Sequence, residues 1–210
     1  YSPTVTYKEM KLTNLAIQEN ADNKAFSLMV TADRLNLSDS SYINNIALNN
    51  ILANDSLSFN IEMSEQQATN YLNLNGNIHF AHNAPAYVKF LPSSIIINNE
   101  KWSLNNDALI RVSKGKIYIN NLLLNQGQQS VKLDGILSNE NDKLNLLFNK
   151  FSLSSLNGIT TPFGINLKGY LNGNIALNSI FKNPIASASI KTTPIIYNDI
   201  PIGQLDLEAQ

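Results

Sequence analysis

Two histidines, His79 and His82, form an H-x-x-H pair, a spacing that can bring two imidazoles onto one metal ion. A zinc site needs three or four converging ligands. Here no acidic residue stands at a useful spacing, and the chain has no cysteine. The pair therefore reads as two solvated side chains, with His79 on the polar face of the strand that runs on from Leu74. Glu140 with Asp142, and Asp206 with Glu208, are carboxylate pairs of the type a glycosidase sets across a cleft. The first falls in a turn and the second on the wet side of a strand, where solvation is the default role. No G-x-S-x-G elbow and no Walker-type phosphate loop occurs. Asn36-Leu37-Ser38 and Asn54-Asp55-Ser56 match glycosylation sequons, as chance dictates in so asparagine-rich a chain. Tyr42, Tyr71, Tyr87, Tyr118, Tyr170 and Tyr197 are scattered and form no carbohydrate platform, and Trp102, alternating with Leu104, reads as core. The residues thus assign no catalytic group, no metal ligand and no cofactor, and the expectation is a non-enzymatic protein.

Composition narrows the partners. The 210 residues are 43% apolar but only 15% charged, with a net charge of −1. A balance this near neutrality argues against a nucleic-acid binder, whose affinity comes from neutralising many phosphates, and against a polybasic membrane anchor. No apolar run is long enough for a membrane-spanning helix, and residues 1–9 lack the basic start and apolar centre of a signal peptide. Asparagine, a poor strand former, lies mostly between apolar residues and reads as compositional bias without chemistry of its own.

The elements that must position anything are strands. Period-two alternation runs through Phe26–Val30, Leu57–Met63, Leu72–Leu74, Trp102–Leu104, Ile117–Ile119, Val131–Leu133, Leu144–Phe148 and Ile165–Leu167. Such segments have one covered and one wet face, as in antiparallel sheets, whereas Ile95–Ile97 and Leu122–Leu124 read as continuous apolar runs. Short turn signals at Ser113-Lys114-Gly115, Asn125-Gln126-Gly127 and 138–142 suit hairpins, and one brief helix is expected around Ser64 to Ala68. Both ends of the chain lie inside the alternating pattern. The expectation is one β-rich segment over 1–210, cut from a longer chain, with any targeting signal or anchor elsewhere.

Glycine recurs in phase with the apolar residues: Gly76, Gly135, Gly169 and Gly173 all hold apolar-face positions. Removing a side chain there lets a strand bend toward that side, as glycine kinks do in curved sheets. The expected fold is all-β: an elongated, strongly curved, mainly antiparallel sheet with a concave apolar face. The plainer alternative is that these glycines relieve crowding in a flat sandwich core or mark hairpin turns.

Ile117-Tyr118-Ile119-Asn120-Asn121-Leu122-Leu123-Leu124, then Gln129 to Gly135, Leu144 to Phe148, Phe151 to Leu156, Leu167 to Gly173 and Ile202 to Ala209, together resemble the AsmA/TamB-like family. The resemblance is to its carboxy-terminal region, as found in Bacteroidetes, and is clearest over 92–210. It implies a β-taco, or half-pipe, with a hydrophobic interior, in a periplasmic protein anchored in the inner membrane through a segment outside this one. It also implies phospholipid transport to the outer membrane, outer-membrane protein assembly, or both, with phospholipid acyl chains as cargo and an Omp85-type outer-membrane β-barrel as partner of the full-length protein. Leu133, Leu137, Leu144, Leu146, Phe148, Leu167, Leu171 and Ile175 are the residues expected to line the groove, with Leu205 and Leu207 extending it. A closed β-sandwich serving adhesion or glycan binding is the alternative function, and a hydrolase on a β scaffold the third.

Overall fold

The computed structural model describes residues 1–8, 10–36, 42–64, 70–139, 142–161 and 164–209. It is all-β, with 72% of the chain in strands and almost no helix. In chain order the strands are β1 (Ser2–Tyr7), β2 (Met10–Ala21), β3 (Ala25–Asn36), β4 (Tyr42–Ala53), β5 (Ser56–Ser64), β6 (Tyr71–His79), β7 (Ala86–Phe90), β8 (Ser94–Ile97), β9 (Glu100–Leu104), β10 (Leu109–Ser113), β11 (Lys116–Gln126), β12 (Gln129–Leu137) and β13 (Lys143–Ser152). A 3-10 turn (Leu153–Leu156) and the four-residue helix α1 (Asn157–Thr160) follow. The remainder is β14 (Leu167–Lys168), β15 (Tyr170–Asn178), β16 (Ile185–Thr192), β17 (Ile195–Tyr197), β18 (Ile200–Gly203) and β19 (Asp206–Ala209). The brief helix expected around Ser64 to Ala68 falls on residues outside those described, apart from Ser64, which ends β5.

The chain divides into two compact units, one of Tyr1–His82 with Val88–Lys101 and the other of Asn83–Tyr87 with Trp102–Gln210. In the first unit β1 to β6 pair antiparallel in sequence order, and β8 pairs β6. In the second, β10, β11, β12, β13, β15, β16 and β19 pair antiparallel in that order, and Leu104 of β9 pairs Leu124 of β11. A separate three-stranded sheet has the order β14-β17-β18.

Much of this chain direction is written in asparagine, which corrects the reading of that residue as inert. Four hairpins turn on two residues of positive φ, Asn54-Asp55, Asn98-Asn99, Lys114-Gly115 and Asn198-Asp199. Both central residues at positive φ define a type I′ turn, whose twist matches the flanking strands. Asparagine tolerates that region because its short polar side chain bonds locally.

The apolar run Leu122–Leu124 is also corrected. Register slips by one residue between Ile119 and Leu122, with Asn121 at φ +56°. This bulge keeps Ile117, Ile119, Leu122 and Leu124 in phase on one face and sends Leu123 to the other. A second bulge between Phe148 and Phe151, with Lys150 at φ +45°, likewise carries the phase of Leu144, Leu146 and Phe148 on to Phe151. Of the expected strand at Ile165–Leu167, only Leu167 is in strand, in β14. The 3-10 turn and α1 escaped the sequence reading because eight residues hold no helical period.

Candidate functional site

Residues paired across antiparallel strands share a face, and so do residues two apart along a strand. In the second unit one row runs Leu122, Leu133, Leu146, Ile175, Ala188 and Ala209. A second runs Ile119, Gly135, Leu144, Leu177 and Ala186, and a third Leu104, Leu124, Val131, Phe148, Gly173, Ile190 and Leu207. Phe151, Leu171 and Thr192 make a shorter row, and Leu137 faces Ile117. The structure thus brings Leu133, Leu137, Leu144, Leu146, Phe148, Leu171 and Ile175 into one sheet and one phase, and Leu207 joins them. Leu167 stands apart, in the small sheet opposite Tyr197. Leu205 lies just outside β19, its backbone exchanging hydrogen bonds with Thr192. All eight groove candidates are half-buried.

The first unit repeats the pattern. Ile17, Val30, Leu48, Ile61 and Leu74 form one row, and Ala21, Phe26, Leu52, Leu57 and Ile78 another. Between them Leu28, Asn50, Phe59 and Gly76 line up. Large apolar side chains stay open to solvent here: Ile17 is 57% exposed and Leu52 42%.

The glycines enter in two ways. Gly135 and Gly173 sit at φ +142° and +136°, outside the range that L side chains adopt. A Cβ there would strike the Lys143 and Ser189 carbonyl oxygens of the adjacent strands. Gly76 has ordinary backbone, and its missing side chain makes room for the Phe59 ring, which meets Phe90 edge-on with centroids 6.4 Å apart. Gly169 lies in the single-residue gap between β14 and β15.

Buried apolar residues are few: among those described they are Ala32, Trp102, Ala108, Ile119 and Leu153. Trp102, 1% exposed, packs on Phe151 at 6.0 Å between centroids, and Phe151 on Phe148 at 5.7 Å.

The opposite faces are held by amides. Asn60 takes a bond from Asn49 Nδ2 and gives to Asn73 Oδ1 and Asn75 Oδ1, each at 3.0 Å. Asn73 Nδ2 donates to the Tyr71 hydroxyl, which donates to Glu62 at 3.1 Å. Elsewhere a side-chain amide stands in for a peptide group, with one donor and one acceptor in similar geometry. Asn157 exchanges both bonds with the Leu167 backbone, at 3.1 and 2.8 Å. Asn105 Oδ1 accepts from Leu123 N–H at 2.8 Å while Asn105 N–H donates to the Leu123 carbonyl at 3.0 Å.

The titratable candidates are engaged locally. His79 Nδ1 is 3.1 Å from Ser56 Oγ, and both histidines are exposed. Asp142 is buried and receives the Ile180 N–H, while Glu140 lies outside the described residues. Asp206 pairs with Lys191 at 3.3 Å and Glu208 accepts from Ser189 Oγ at 2.6 Å, both across strands. Burial pushes the Asp134 carboxyl up, but the Asn121 N–H and Lys132, 3.0 Å away, outweigh it and hold the group below its usual range. Among the described residues no group of three or more His, Asp or Glu is placed to hold a metal ion, and no helix is long and apolar enough to cross a membrane. No family model, curated protein or solved structure matches the chain.

Proposed function

We propose that this chain is a periplasmic segment of a TamB/AsmA-like protein whose apolar sheet faces serve as a groove for phospholipid acyl chains. The strands of each unit curl into a β-taco half-pipe with the apolar rows inside. The groove works in phospholipid transport to the outer membrane, in outer-membrane protein assembly, or in both, with an Omp85-type barrel as partner and an inner-membrane anchor outside this segment. The observation that carries the reading is the set of apolar rows that cross strand after strand yet remain half-exposed, with so few side chains fully buried. A closed sandwich would cover such rows. An acyl chain left in water costs about 0.8 kcal/mol per methylene, and a continuous apolar trough removes most of that barrier with no catalytic residue.

The second reading, a closed adhesion or glycan-binding module, draws on the aromatic cluster of Trp102, Phe148 and Phe151. Native mass spectrometry of the chain purified from a bacterial host, with extraction of co-purifying lipid, separates the two. Lipid carriage predicts bound phospholipid that is lost in Leu146→Asp while the circular dichroism spectrum is retained. A clean apo mass that stays unchanged after incubation with phospholipid vesicles would sink it and favour the closed module.

A further inference from the structure

A cleft of about 540 Å³ in the second unit is lined by Gln126, Gln128, Gln129, Lys150, Tyr170, Asn172 and Thr193. That volume lies within the range of small-molecule pockets, roughly 300–1,000 Å³. Its residues come from the β11–β12 hairpin, the bulge of β13, the start of β15 and the residue that follows β16.

Three backbone N–H groups, which can only donate, fix how the lining side chains are turned. Ser152 N–H donates to Gln129 Oε1 at 2.7 Å, Lys150 N–H to Asn172 Oδ1 at 2.8 Å, and Tyr170 N–H to Thr193 Oγ1 at 2.8 Å. With its oxygen held, Gln129 presents only Nε2, which donates to Gln126 Oε1 at 2.7 Å. The Lys150 ammonium, also a pure donor, takes Gln128 Oε1 at 2.7 Å. Every lining side-chain oxygen except the Tyr170 hydroxyl is therefore engaged from within the protein. What remains to face a ligand is a set of donors: the amide nitrogens of Gln126, Gln128 and Asn172, the second Gln129 N–H, the Thr193 hydroxyl hydrogen and the rest of the ammonium. No lining residue is acidic, and no ion pair among the described residues involves Lys150.

From this donor surplus around a single cation we infer that the cleft is an oxyanion site that takes a phosphate group. A sugar would present hydroxyl donors to a lining that offers only second lone pairs and the Tyr170 oxygen, and a cation would meet Lys150. The inference stands apart from acyl-chain carriage, since it requires no apolar groove. The phosphate has two sources, the free ion and the phosphodiester of a phospholipid headgroup.

The test follows the side-chain amide resonances of the 15N-labelled 210-residue chain during titration with inorganic phosphate and, separately, with monomeric dihexanoylphosphatidylglycerol. The expected result is saturable millimolar binding that shifts Gln126, Gln128 and Asn172. Asn172→Asp keeps the acceptor for Lys150 N–H but replaces the outward donor with a negative charge, and Lys150→Gln removes the cation. Each is expected to weaken binding about tenfold or more, the worth of one charge-assisted hydrogen bond. Binding of both probes assigns a headgroup-competent site, and binding of phosphate alone assigns the free ion. No saturable shift with either probe, shifts with maltose instead, or wild-type affinity in both folded variants would overturn the inference.

Discussion

The two units reach the same arrangement, apolar rows on one sheet face, by different means. In the first unit the strands are long and keep their register, even past Asn14 and Asn45 at positive φ inside β2 and β4, and the wet face is tied by side-chain amides from Asn49 to Glu62. Its one in-phase glycine, Gly76, has ordinary backbone and yields space chiefly to the Phe59 ring, with the Lys89 carbonyl oxygen close behind. In the second unit the register itself is altered: Gly135 and Gly173, at positive φ, press against neighbouring strands, and two bulges restore phase after an extra residue. Among the described residues most of the buried apolar side chains belong to the second unit as well, Ala32 being the exception. Side-chain bonding can be lost bond by bond, whereas a backbone device admits no substitute. Damage should therefore be graded in the first unit and abrupt in the second.

Trp102→Ala tests that contrast most severely. Loss of the most buried side chain is expected to remove about 3–5 kcal/mol, read as a fall in the urea midpoint. Gly173→Ala should follow, at about 2–4 kcal/mol, because a rare φ and a clash with the Ser189 carbonyl add together. Gly76→Ala, which displaces the Phe59 ring and crowds the Lys89 carbonyl but meets no unusual φ, is expected near 1–3 kcal/mol, and an equal loss at both glycines would erase the distinction between the units. Asn60→Ala should lower stability by about 1–2 kcal/mol by leaving amide partners on either side unmatched. The smallest effect concerns pH. The Asp134 carboxyl is held below its unfolded value, so its contribution is present above that value and lost as pH falls through the folded one. Urea midpoints of wild type and Asp134→Asn should converge on acidification below about pH 4, and a constant gap would refute the assignment.

The strand character and the phase of most apolar side chains were legible because alternation survives in Leu144–Phe148 and Val131–Leu137, whatever the strand order. The bulges were less so, although each had a sign: two polar residues in succession, Asn120-Asn121 and Asn149-Lys150, interrupt the alternation. Leu167 kept the right pattern but pairs in another sheet, and pairing is a property of distant residues such as Tyr197. The donor-lined cleft had no sequence signal. Its chemistry depends on which amide atoms point outward, and backbone groups far along the chain decide that.

The amides that tie one strand to the next also set the chemical lifetime of the chain. In each of the pairs Asn75-Gly76, Asn157-Gly158 and Asn172-Gly173 an unhindered glycine nitrogen follows an asparagine, the arrangement most prone to succinimide closure with loss of ammonia. Yet Asn75 donates to Asn73 and to the Pro92 carbonyl, Asn157 is held by both groups of Leu167, and Asn172 receives the Lys150 N–H. Ring closure requires that side chain to swing back onto its own main chain, which these bonds prevent while the neighbouring strand is in place. Deamidation at the three positions is thus a slow clock, advancing only in the moments when that part of the sheet opens.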